Sequence, residues 1–152
     1  MPDGWRIVRV ERVAAAFSGE GAAAGGGRWN TPGTPVVYLS EHKSLAALET
    51  LVHLSRRAAV RFVFFRVGVP AEVIERLPRP ALSAQWRHEP PLSETQAVGD
   101  VWVRENRSAV LAVPSAIIPE ELNFLLNPAH ADFKKITIGK PEPFAFDPRL
   151  LT

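Results

Sequence analysis

The chain has 152 residues, 46% of them hydrophobic and 22% charged, with a net charge of +2. That balance is ordinary for a globular protein and excludes collagen-like, coiled-coil and disordered chains. The length predicts a single domain over residues 1–152. There is no cysteine, so disulfides, thiol catalysis and zinc–thiolate sites are ruled out. No apolar run approaches the roughly 20 residues needed to cross a bilayer, so no membrane association is expected. The opening residues lack the basic-then-apolar pattern of a secretory signal, so the expected location is the cytoplasm. The basic residues are scattered, and with a small net charge they do not form a nucleic-acid footprint.

In chain order, Trp5–Val13 alternates apolar with basic residues and predicts a strand near a sheet edge. From Ala14 to Pro35 the chain is rich in Ala and Gly and holds two prolines, which predicts a long binding loop without regular helix or strand. Pro35–Ser40 reads as a short strand with Val37 and Leu39 on one face and Val36 and Tyr38 on the other. Ser40 is then positioned to cap an amphipathic helix over Ser40–Ser55, with Leu45, Leu48, Leu51 and Val52 on its apolar stripe and Glu49 at the stripe's boundary, half-buried.

Val60–Val69 has apolar residues on both faces and predicts a central strand. The five prolines of Pro70–Pro91 predict turns and loop, with Trp86 as a packing anchor. Ser93–Glu105 reads as a helix opened by a Ser93/Gln96 capping box, and Ala109–Pro114 as a strand that delivers the chain to Ser115. Pro119 opens a brief turn, Phe133–Gly139 reads as a last strand, and the tail reads as irregular.

The histidines, His42, His53, His88 and His130, never fall in a metal-ligand spacing, so no metal site is expected. Phosphate-loop, dinucleotide-fold and nucleophile-elbow motifs are absent as well. What remains is a site of Arg, Glu, Ser, Tyr and backbone. Three glycines in GGGRWN would let the backbone approach a ligand, while Arg28 offers a fixed cationic fork and Trp29 a flat face. The same residues would equally suit a surface loop with Arg28 paired to a carboxylate and Trp29 packed in the core.

The segments FSGEGA, GGGRWNTPGTPVVYLS, SLAALETLVH, SAVLAVPSAIIP and NFLLNPAHADF occur in that order from Phe17 to Phe133. Together they resemble the RES domain family, named for Arg, Glu and Ser positions, which includes the toxins of Xre–RES toxin–antitoxin pairs. The resemblance implies an α+β domain of ADP-ribosyltransferase-like fold, with a central β-sheet and flanking helices. It also implies cleavage of NAD at the nicotinamide ribose by hydrolysis or phosphorolysis, with NAD as substrate and no cofactor. Some members ADP-ribosylate a protein instead. The implied partner is a cognate Xre-type antitoxin covering the pocket mouth, through which the toxin would form a homo-oligomer.

By the same resemblance Arg28 corresponds to the family Arg, Tyr38 to its aromatic partner and Glu49 to the family Glu. Ser115 corresponds to the serine, with Ser108 as the alternative. The chemistry suits these types: the transition state is oxocarbenium-like, so a carboxylate such as Glu49 can bind ribose hydroxyls and favour the developing positive charge. Arg28 would hold the pyrophosphate, Trp29 would help bind the dinucleotide with its flat face, Tyr38 would stack on nicotinamide, and Ser115 would hydrogen-bond ribose or carboxamide. A catalytically silent module binding a nucleotide or a partner is the non-enzymatic alternative.

Overall fold

A computed structural model describes residues 1–54 and 60–151. Its elements are β1 (Asp3–Arg9), α1 (Glu20–Gly25), β2 (Val37–Ser40), α2 (Lys43–Leu51), β3 (Phe62–Gly68), β4 (Ile74–Arg76), α3 (Ser93–Arg104), β5 (Val110–Pro114), β6 (Leu122–Leu126), β7 (Thr137–Ile138) and β8 (Glu142–Phe144). The strands form one mixed sheet in the order β4-β5-β6-β2-β1-β3-β7, with β8 also pairing β3, so the chain is an α+β domain around a central sheet. Every pairing is antiparallel except β4 with β5. None of the described helices is long and apolar enough to cross a membrane.

Strand alternation divides the apolar residues between two cores, one on each face of the sheet. On β5, Val110 and Ala112 join a cluster with Val8, Val37, Leu39, Phe65 and Val67, while Leu111 and Val113 join the opposite cluster with Trp29, Val36 and Trp102. β6 repeats the division, with Phe124 and Leu126 on the first side and Leu125 on the second. Both faces are therefore dry at β5, all of whose residues are buried.

Several expectations need correction. β1 lies between β2 and β3, not at an edge, and ends at Arg9, where a 3-10 turn over Val10–Ala15 replaces the expected continuation. The Ala-Gly segment holds a short helix, α1, because three consecutive alanines favour it locally. Ser40 does not cap α2; it is the last residue of β2, and His42 occupies the cap. The expected end of this helix at Ser55 lies outside the described residues. α3 starts at Ser93 as expected, yet no side chain caps it, so the Ser93/Gln96 box is not made. β4, β6 and β8 had no counterpart among the expected elements, and Phe133–Gly139 is a 3-10 turn followed by the two-residue β7.

Candidate active site

β1 and β2 share one paired position, Trp5 with Ser40, whereas β2 pairs with β6 along its whole length. The sheet therefore opens between β1 and β2 along Val37–Leu39. Arg6 bridges the opening: its Nη1 donates to the Tyr38 carbonyl at 2.9 Å and its Nε to the Ala16 carbonyl at 2.7 Å. A guanidinium thus satisfies a β2 carbonyl that no β1 amide reaches. A cavity of about 580 Å³ lies here, lined among others by Arg6, Arg28, Tyr38, Ser40, Glu49 and Asn123. That volume falls in the usual range for small-molecule sites.

The glycine loop that forms one wall is tightly held. Gly27 donates to the Asn30 carbonyl at 2.9 Å and its own carbonyl accepts from Gln96 of α3 at 3.1 Å. A Cβ on Gly27 would lie 2.8 Å from the Tyr38 hydroxyl, so a side chain there would push the loop off β2. Asp100 of α3 accepts from the Thr31 amide at 3.0 Å and from the Thr31 hydroxyl at 2.6 Å. Asn30 is fully buried, and its amide donates to the carbonyls of Ala22 and Thr34 at 3.0 and 3.1 Å.

The expected residues Arg28, Trp29, Tyr38 and Glu49 all border the cavity. Arg28 donates to the carbonyls of Trp86 and His88 at 3.0 and 2.8 Å and pairs with Glu89 at 2.8 Å. Trp29 is 2% exposed and belongs to the second core cluster, beside Trp86, with ring centroids 6.3 Å apart. Tyr38 donates to Asn30 Oδ1 at 2.5 Å and accepts from the Trp29 amide at 3.3 Å; burial pushes its phenol well above the ordinary tyrosine value. It therefore stays a donor at neutral pH.

The two expected serines do not border the cavity. Ser115 is 0% exposed, and its Oγ accepts from the amides of Ile117 and Ile118 at 3.0 and 3.1 Å, fixing the turn after β5 next to cavity-lining Ala116. Ser108 accepts from the Trp102 indole at 2.8 Å and donates to the Val110 carbonyl at 2.9 Å. Among the described residues, Ser40 is the serine that lines the cavity.

Sequence reasoning missed two residues. Asn123, on β6, donates from Nδ2 to Glu49 Oε2 and accepts from Ser40 Oγ at 2.7 Å. Among the described residues no hydrogen bond reaches the other Glu49 oxygen, Oε1. Arg6 makes no ion pair among the described residues, and burial draws its guanidinium down to about 10, which leaves it cationic at neutral pH. The signal for Arg6 was its place between Trp5 and Ile7 in a strand. The signal for Asn123 was a polar residue inside Leu-Asn-Phe-Leu-Leu. Among the described residues no group of three or more His, Asp or Glu side chains gathers to hold a metal.

Two guanidinium groups and a carboxylate with one oxygen unengaged among the described residues are thus set around one cleft in an opened sheet. The RES domain model matches residues 4–147, and the chain belongs to this family. The chain is 38% identical to a Toxin Res of Yersinia enterocolitica over 96% of its own length and 97% of that protein. It is 39% identical to a Prs ADP-ribosylating toxin of a Sphingobium species, over 97% of its length and 95% of that protein. A chain in the crystal structure of the M. tuberculosis MbcT–MbcA toxin–antitoxin complex shares the fold, with a TM-score of 0.71 at 21% identity, covering 98% of this chain and 86% of that one.

Proposed function

We propose that this RES toxin cleaves the nicotinamide–ribose bond of NAD, by hydrolysis or phosphorolysis, and that a cognate antitoxin of Xre type silences it. The observation that carries the reading is the meeting of Arg6, Arg28, Tyr38 and Glu49 around one cavity. As the bond breaks, its electron pair passes to the nicotinamide ring nitrogen and neutralises the pyridinium, leaving positive charge on the ribose carbon. Glu49 Oε1 would bind a ribose hydroxyl and oppose that charge, in surroundings where a fixed carboxylate acts more strongly than in water. Water or phosphate then attacks the same carbon.

The pyrophosphate carries two negative charges, matched by Arg6 and, once Glu89 moves aside, by Arg28. The Tyr38 ring would face nicotinamide, with its hydroxyl already committed to Asn30. Ser115 would support the wall at Ala116 from behind. The cavity's proposed chemistry calls on Arg6, Arg28, Tyr38 and Glu49 alone, so EDTA should leave turnover unchanged.

ADP-ribosyl transfer to a protein is the second reading, favoured by the Prs ADP-ribosylating toxin among the relatives. The two are separated by product: incubation with NAD alone, with inorganic phosphate, or with a cell extract would give free ADP-ribose, its 1″-phosphate, or a labelled protein. Antitoxin binding over the cavity is tested by co-purification with the product of a neighbouring gene and by loss of NAD binding in the complex.

A further inference from the structure

The register of β2 on β6 places Ser40 directly opposite Asn123, both on the face that carries Tyr38 and Leu125. α2 lays Glu49 against the same spot, so three polar side chains meet at the cavity wall: Ser40 to Asn123 at 2.7 Å, and Asn123 to Glu49. The order of donors along this line is forced. A carboxylate only accepts, so Asn123 must turn its NH₂ to Glu49; its oxygen then faces Ser40, whose hydroxyl must donate. Ser40 and Asn123 are both buried, at 4% and 7% exposure, which leaves the amide little freedom to turn.

Resting on the NAD-cleaving reading above, we propose that Asn123, anchored by Ser40, is a positioning residue that aims Glu49 at the reacting ribose. Asn123 grips Oε2 and thereby leaves Oε1 as the oxygen presented to ligand. Glu49 sits near the end of a short helix, two residues before that helix ends at Leu51, where its side chain would otherwise choose among several rotamers. Fixing it in advance removes that search from the barrier.

Asn123→Asp is the decisive variant, because it keeps the volume and the Ser40 contact and replaces only the donor aimed at Glu49. At alkaline pH the two carboxylates repel, and kcat should fall about tenfold to a hundredfold with KM for NAD changed less than about threefold. As the pH falls and the pair takes up one shared proton, a donor is restored between them and the deficit should shrink. Ser40→Ala should lower kcat by a smaller factor, since the amide keeps its partner but loses its anchor. The same contact can be read without turnover: the side-chain ¹H–¹⁵N signals of Asn123 should move markedly in Glu49→Gln. A deficit in Asn123→Asp that is independent of pH, or unchanged kcat in both Asn123→Asp and Ser40→Ala, would overturn the proposal. So would Asn123 signals indifferent to Glu49→Gln. Wild-type protein that releases no nicotinamide would overturn the NAD reading instead, and the spectra alone would then decide whether Asn123 aims Glu49.

Discussion

The Arg28 guanidinium lies 2.8 Å from the Glu89 carboxylate, and the two differ sharply in exposure: 14% of the Arg28 side chain is accessible against 70% of that of Glu89. Arg28 is thus fixed by the backbone carbonyls of Trp86 and His88, while Glu89 covers it from outside. A pyrophosphate using Arg28 must displace that carboxylate. Glu89→Gln should accordingly tighten NAD binding by a few-fold, seen as a lower KM with kcat unchanged. Its effect on stability should stay within about 1 kcal/mol, because the carboxylate is solvated.

Arg6 leads to the opposite expectation. Among the described residues it has no carboxylate to displace; backbone carbonyls hold it, and it lies over the Phe17 ring, 6.0 Å from the centroid. Arg6→Gln should weaken NAD binding by about tenfold or more, the usual scale for a charge-assisted hydrogen bond. Its pH dependence follows from the burial that lowers it to about 10. The cation is fully present at neutral pH, so binding that depends on it should hold through neutrality and decline above about pH 10. For stability the sign is reversed: the folded protein releases this proton before the unfolded chain does, so burial of Arg6 costs less as pH rises beyond that value. Binding titrations and denaturant melts across pH check the two signs separately.

Gly99 of α3 sits under the Trp29 carbonyl, where an added Cβ would lie 1.8 Å from the oxygen. That neighbour is backbone and cannot swing away. Gly99→Ala should destabilise the fold by about 3 kcal/mol or more, the upper part of the range for overpacked sites, despite the gain in helix propensity. Chemical denaturation of the purified variant measures this directly.

Tyr38→Phe keeps the ring and removes the hydroxyl, which leaves the buried Asn30 Oδ1 and the Trp29 amide without their partner. The expected cost is about 1–3 kcal/mol in stability. Because ring stacking on nicotinamide survives, KM for NAD should change little. A large rise in KM with unchanged stability would assign the hydroxyl to the ligand instead of the loop.

Periodicity was a good guide wherever one face of an element meets the core. The Val37/Leu39 and Val36/Tyr38 division of β2, the half-buried Glu49 on α2, and the α3 span are all as the spacing predicts. It was a poor guide where burial is two-sided or pairing is distant. β6 is a short apolar run broken by Asn123, with no clear period, and the three residues of β4 show a pattern only beside β5. The misreading of Ser40 has the same origin: Ser-Glu-His-Lys before an apolar stripe looks like a helix start, yet the hydroxyl bonds a residue 83 positions away. The basic residues of β1, Arg6 among them, made it look like a strand near a sheet edge, because nothing local reveals that the carbonyls of Ala16 and Tyr38 would receive Arg6. Arg28 stood out by its glycine loop and Glu49 by its boundary position, family resemblance joined them to Tyr38, and their meeting around one cavity is a property of the fold.

The most direct test is nicotinamide release at saturating NAD by the wild-type protein and by Glu49→Gln, with melting curves recorded on both. Gln keeps the shape of the side chain and a carbonyl oxygen for Asn123, and removes the charge. The predicted result is release by the wild-type protein and a loss of about 10²–10³ in rate in a variant that melts at nearly the same temperature. Equal turnover by the two proteins, or no release by folded wild-type protein with or without phosphate and a protein acceptor, would contradict the account.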